Sequence, residues 1–91
     1  MKLYKISQEE NQNYETYDSA IVAAENEEEA RGIVPGDDDY KYIDGELATS
    51  DNSILTWSAW ALYQKNVKVE YLGEAKEGTK KGEILGSFNA G

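Results

Sequence analysis

Ser19-Ala-Ile-Val-Ala-Ala-Glu-Asn-Glu-Glu-Glu-Ala-Arg-Gly-Ile-Val-Pro-Gly36 reads as a buried strand running straight into a short capped helix, and the fold follows from that reading. From Ala20 to Ala24 every side chain is apolar and either small or β-branched. Such a run suits a strand covered on both faces, hence central in its sheet. Asn26 offers a side-chain oxygen to the free amides of a helix start, and Glu29, three residues on, can reach back to it. Glu27, Glu28 and Glu29 set negative charge on the positive end of the helix dipole. Ala30, Ile33 and Val34 fall at i, i+3 and i+4 and form one apolar face, and Pro35-Gly36 ends the helix. A central strand over 19–24 and a helix over 27–34, packed on one face of an antiparallel sheet, are therefore expected.

Outward from that unit, Lys2 to Ser7 reads as a first strand, with Tyr4 and Ile6 on one side and Leu3 and Lys5 on the other. A polar connection from Gln8 to Thr16 makes it the antiparallel partner of the stretch at Ser19. Asn13-Tyr14 and Tyr17 form either a recognition tip or an ordinary turn and lid. Beyond Gly36, Asp44-Gly45 between two short mixed runs signals a small accessory hairpin. Ser53 or Asp51 can cap a second helix over 54–64, whose stripe is Ile54, Trp57, Trp60 and Ala61. Alternation of Leu55, Trp57 and Ala59 supports a rival strand there. Val67 to Leu72 alternates as a half-exposed antiparallel strand, Gly73 to Gly82 is a turn too long for a tight hairpin, and Glu83 to Phe88 is the last strand. The fold class is α+β: a single domain, 1–91, with an antiparallel sheet of about four strands in the order β-β-α-(α)-β-β and one or two helices packed on it.

Charge is unevenly spread. Residues 9 to 51 hold fourteen acids against only Arg31 and Lys41, whereas the rest of the chain has seven lysines against four acids, within a net charge of −9. A dense negative half argues against direct nucleic-acid binding, since neutralising phosphates needs a basic surface. It favours a partner with a basic surface, or else serves as a solvated coat that keeps the protein soluble. Glu27, Glu28, Glu29, Asp37, Asp38 and Asp39 are the candidate partner-binding acids. Trp57 and Trp60 are candidate contact residues if exposed and core residues if not. The chain has no cysteine and no apolar run long enough to span a membrane, and Lys2 to Ile6 lacks the apolar core of a signal peptide. A soluble intracellular protein is expected.

Catalytic and metal chemistry find little support. With no histidine and no cysteine, Ser-His and Cys-His nucleophiles and His- or Cys-based zinc sites are excluded. The carboxylates lie in exposed runs where nothing would raise one of them into a general acid. An EF-hand loop counted from Asp37 fails at Lys41, Tyr42 and Ala48. The glycines match no phosphate- or dinucleotide-binding pattern. The expectation is a non-enzyme without cofactor or metal.

Tyr17-Asp-Ser-Ala-Ile-Val-Ala-Ala-Glu-Asn-Glu-Glu-Glu-Ala-Arg31 with Pro35, then Val67-Lys-Val-Glu-Tyr-Leu-Gly-Glu-Ala75, and the closing Gly-Glu-Ile-Leu-Gly-Ser-Phe-Asn-Ala-Gly91, together resemble a family of small, acidic, uncharacterised bacteriophage and prophage proteins. The resemblance covers most of the chain, least well from Asp37 to Lys65. It implies a phage origin and the cytoplasm of a host cell as its place of action, but no activity or site. By analogy with small acidic phage proteins, it suggests an accessory factor that inhibits a host defence (CRISPR or restriction) complex through a nucleic-acid-mimicking surface. The alternatives are a small structural module forming a homo-oligomer and a small-ligand-binding protein.

Overall fold

The computed structural model describes residues 1–10, 16–36 and 39–89, the last four by their backbone alone. The chain forms β1 (Lys2–Ser7), β2 (Thr16–Ala24), α1 (Glu27–Arg31), β3 (Lys41–Ile43), β4 (Glu46–Ala48), β5 (Lys68–Glu74) and β6 (Gly82–Asn89). Four strands make one antiparallel sheet in the order β5-β1-β2-β6, and β3-β4 is a separate hairpin. This is an α+β fold with little helix. Asn13 and Tyr14 lie outside the described residues.

β2 is central, as its composition requires, but it is more fully covered on its inner face than on its outer one. Tyr4, Ile6, Ala20, Val22 and Ala24 line the inner face of the sheet and join Ala30, Val34, Leu47, Trp60, Ala61 and Val67 in the core. The covering layer is assembled from α1, the β3–β4 hairpin and the segment from Leu55 to Val67. The expectation that both faces of β2 are buried holds only in part: on the outer side Ala23 is buried, while Ser19 and Ile21 stay partly exposed.

Helix α1 ends at Arg31, three residues short of the expected Val34. Gly32 is the C-cap, and its N–H and that of Ile33 close three-residue turns on Glu29 and Ala30, each at 3.2 Å. Glycine's backbone freedom disfavours another helical turn, and Pro35 cannot supply the next amide. The apolar face is kept nonetheless, with Ala30 and Val34 buried and Ile33 partly so. Asn26 caps as expected, accepting the Glu29 N–H at 2.9 Å. The return bond from the Glu29 carboxylate falls on the N–H of Glu25, at 3.2 Å, rather than on that of Asn26.

The hairpin forms at Asp44-Gly45, where both residues have positive φ (50° and 84°), the two-residue turn whose twist matches paired strands. Gly36, with φ 84°, is the other position that demands glycine. A Cβ there would meet the Tyr17 ring at 2.7 Å, so this close approach seats the chain after α1 on the sheet.

The expected second helix over 54–64 is absent. The segment runs as irregular and extended chain against β4, and a single 3-10 turn follows at Gln64–Asn66. Its backbone groups are engaged elsewhere. Leu55 N–H donates to Leu47 (3.0 Å), Leu47 N–H to Leu62 (2.8 Å), and Tyr17 N–H to Ala59 (2.7 Å). The Ser58 hydroxyl accepts the Trp60 N–H at 3.2 Å, a local bond that competes with helix formation. β5 and β6 do not pair; residues 75–81 carry the chain from one edge of the sheet to the other. Ala75 N–H is tied to the Met1 carbonyl at 3.0 Å on the way.

Candidate partner-binding surface

The irregular segment separates the two tryptophans. Trp60 is fully buried at the centre of the core, so its candidacy as a contact residue is corrected to a structural role. Trp57 is 56% exposed. On the same segment Ile54, Leu55 and Thr56, with Glu46, Leu62 and Tyr63, line an open hollow of about 330 Å³. Ile54 and Tyr63 are themselves about half exposed. Trp57 follows Thr56 in the chain without lining the hollow; exposed aromatic and aliphatic side chains of this kind are where a few residues dominate binding.

Acids border this lobe. Glu46 lines the hollow, and Asp44 lies in the adjacent turn. Asp51 sits in a loop closed by a hydrogen bond from Thr49 N–H to the Ser53 carbonyl at 3.0 Å. The Thr49 hydroxyl donates to the Asp51 carboxylate, and this bond, with others from Ser53, holds that carboxyl below its usual range. Lys65 lies over the Tyr63 ring, 5.8 Å from its centre.

The α1 acids divide. Glu27 and Glu28 are exposed, and no ion pair engages either of them among the described residues. Glu29 is partly buried and committed to the cap, with the Lys81 ammonium 4.0 Å from its oxygen. Asp39 is exposed, while Asp37 and Asp38 lie outside the described residues. The neighbourhood of α1 is not uniformly negative, because Lys81 reaches it from the β5–β6 connection.

One acid escaped the sequence reading. The Glu10 carboxylate accepts from Leu62 N–H (2.5 Å), Tyr63 N–H (3.2 Å) and the Asn66 side-chain amide (2.7 Å). It thereby anchors the turn that carries Tyr63, one wall of the hollow. Nothing local announces a contact across more than fifty residues; Glu10 simply looked like one more solvated charge.

The Tyr42 hydroxyl donates to the Ala61 carbonyl at 2.7 Å. Burial, and then the Glu10 charge, push its ionisation far above the usual tyrosine value of 10.0. The Trp60 indole N–H makes no full hydrogen bond but lies near enough to that hydroxyl to oppose the shift in small part.

Among the described residues no group of three His, Cys, Asp or Glu side chains is placed to hold a metal ion, and no helix is long and apolar enough to cross a membrane. Comparison with protein-family models, with curated proteins and with solved structures finds no match.

Proposed function

We propose that this is a non-catalytic binding protein that docks a partner with a basic surface, using Trp57 and the hollow lined by the same segment as the apolar anchor. The observation that carries this is a half-exposed Trp57 with Ile54 and Tyr63 on a lobe bordered by Asp44, Glu46 and Asp51. Apolar side chains held out of the core are consistent with a role in contact, and the acids around them would select a cationic partner and speed its approach. The exposed Glu27 and Glu28 add to the protein's negative charge elsewhere on its surface. The narrower form of the proposal, suggested by the resemblance to phage proteins, is that the partner is a host defence complex whose nucleic-acid groove is occupied.

The test is capture from bacterial lysate with wild-type protein and with Trp57→Ala, followed by elution with salt or with duplex DNA. The expected result is a partner that Trp57→Ala fails to retain and that both salt and DNA release, because salt screens the charge and DNA competes for the groove. A partner held equally by the variant, and indifferent to salt and DNA, would contradict the proposal. Release by salt but not by DNA would remove the groove while leaving the basic partner.

A further inference from the structure

The hollow in the covering layer has one charged side chain in its lining, and the backbone fixes what stands opposite it. Glu46 and Tyr63 face each other in an antiparallel bridge. The Leu47 N–H donates to the Leu62 carbonyl (2.8 Å) and the Gln64 N–H to the Gly45 carbonyl (2.9 Å), so these bonds flank the pair instead of joining it. That is the type of antiparallel pair whose side chains lie closest, with Cβ atoms about 5 Å apart on one face. Both side chains line the hollow, and both are exposed. Among the described residues no hydrogen bond or ion pair engages the Glu46 carboxylate. The rest of the lining, Ile54, Leu55, Thr56 and Leu62, brings no charge. A free carboxylate and a tyrosine ring thus stand together beside aliphatic surface.

We propose that the hollow receives an arginine side chain of the partner, its guanidinium shared between the Glu46 carboxylate and the Tyr63 ring, its methylene stem laid along Ile54, Leu55 and Leu62. The inference rests on the reading of this lobe as a docking surface, and it names the group that enters. Charge selects a cation. Residues 41–66 carry Asp44, Glu46 and Asp51 against Lys41 and Lys65, and Glu10, bonded to the Leu62 and Tyr63 amides, sets a fourth acid against those two lysines. Glu9 and Lys68, which share a second concavity with Glu10 and Lys65, pair with each other at 3.6 Å and cancel. The lining then selects arginine among cations. A guanidinium is planar and weakly hydrated, stacks on a tyrosine face and offers a carboxylate two parallel N–H donors. A lysine ammonium is compact and more strongly hydrated, and a metal ion would need several oxygen ligands where the hollow has one carboxylate. The apolar stem of arginine covers aliphatic surface while its head stays in water. A volume of about 330 Å³ is near the bottom of the range for ligand sites and gives room for one long side chain.

The ring already attracts a cation. The Lys65 ammonium lies 5.8 Å from the centre of the Tyr63 ring, within reach of a cation–π contact. Its side chain is exposed and can give way. In the free protein Lys65 therefore competes for the ring that the arginine is to occupy, and it repels the incoming charge. Trp57 does not line the hollow and forms no part of this site.

The experiment is an NMR titration of the full isotope-labelled chain with a capped Gly-Arg-Gly peptide at constant ionic strength, and with the lysine and the neutral citrulline analogues in its place. Saturable shifts are expected at Glu46, Ile54, Leu55 and Tyr63, with a dissociation constant in the millimolar range, since one side chain covers little surface. The lysine peptide should bind more weakly and the citrulline peptide not at all. Glu46→Gln should weaken the arginine peptide about fivefold and leave the thermal midpoint unchanged, because the side chain is exposed. Lys65→Ala should bind the peptide more tightly, and Trp57→Ala as the wild type does. Shifts as strong at Glu27 and Glu28 on α1, binding unmoved by Glu46→Gln, or equal binding of the citrulline peptide would overturn the proposal. The outcome is separable from that of the lysate capture. A captured partner that needs Trp57, with no arginine bound in the hollow, leaves the docking surface standing and removes this site. Arginine bound in the hollow, with a captured partner indifferent to Trp57, salt and DNA, does the reverse.

Discussion

At the residue scale, Tyr42 joins two halves of the covering layer. Tyr42 comes from the hairpin, and its hydroxyl bonds the carbonyl of Ala61 on the segment that follows. Tyr42→Phe leaves that carbonyl short of a donor and should cost about 1–2 kcal/mol in denaturant unfolding. A pH dependence accompanies it. The folded state holds the phenol proton to higher pH than the unfolded chain does, so the contribution is complete below 10.0. It falls as the unfolded chain ionises above that point and is lost as pH rises through the folded value. Unfolding free energy of the wild type should therefore decline more steeply above 10.0 than that of Tyr42→Phe. Parallel curves would mean that the hydroxyl is not buried.

At the scale of elements, the central unit was legible in the sequence because its signals are local. The Ala20–Ala24 run, the Asn26 cap and the apolar spacing after it specify a strand and a helix start through neighbours only a few residues away. Asp44-Gly45 announced its hairpin for the same reason. The segment from Ile54 to Gln64 was misread as a helix because its periodicity comes from a different cause. Trp60 and Ala61 face the core while Ile54 and Trp57 face solvent, and distant partners in β4 and β2 satisfy the backbone. The placing of β5 and β6 at opposite edges was likewise invisible, since strand order is decided by which edges remain open once β1 and β2 have paired.

The same scale separates two positions that sequence spacing treats alike. Ala30, on α1, is fully buried, whereas Ile33 lies past the helix end and keeps some contact with water. Ala30→Asp should cost about 3 kcal/mol or more, because its charge has no route to solvent. Ile33→Asp should cost less, about 1–2 kcal/mol. Equal losses in denaturant unfolding would show that the chain continues as a helix through Val34 and buries both alike.

At the scale of the whole molecule, the four-stranded sheet and the covering layer that carries Trp57 hold the core between them. The sequence showed the excess of acid and the pair of tryptophans, but could not show which tryptophan faces out, because both satisfy the same helical spacing. That assignment rests on the irregular path of residues 54–64, and the proposed docking site rests on that assignment. Fluorescence quenching by acrylamide, comparing the wild type with Trp57→Phe, tests it most directly. The wild type should show one strongly quenched, red-shifted component and one protected component, and Trp57→Phe should retain only the protected, blue-shifted emission of Trp60. If Trp57→Phe instead leaves a readily quenched emission, Trp60 is at the surface, and the placing of the anchor at Trp57 is contradicted.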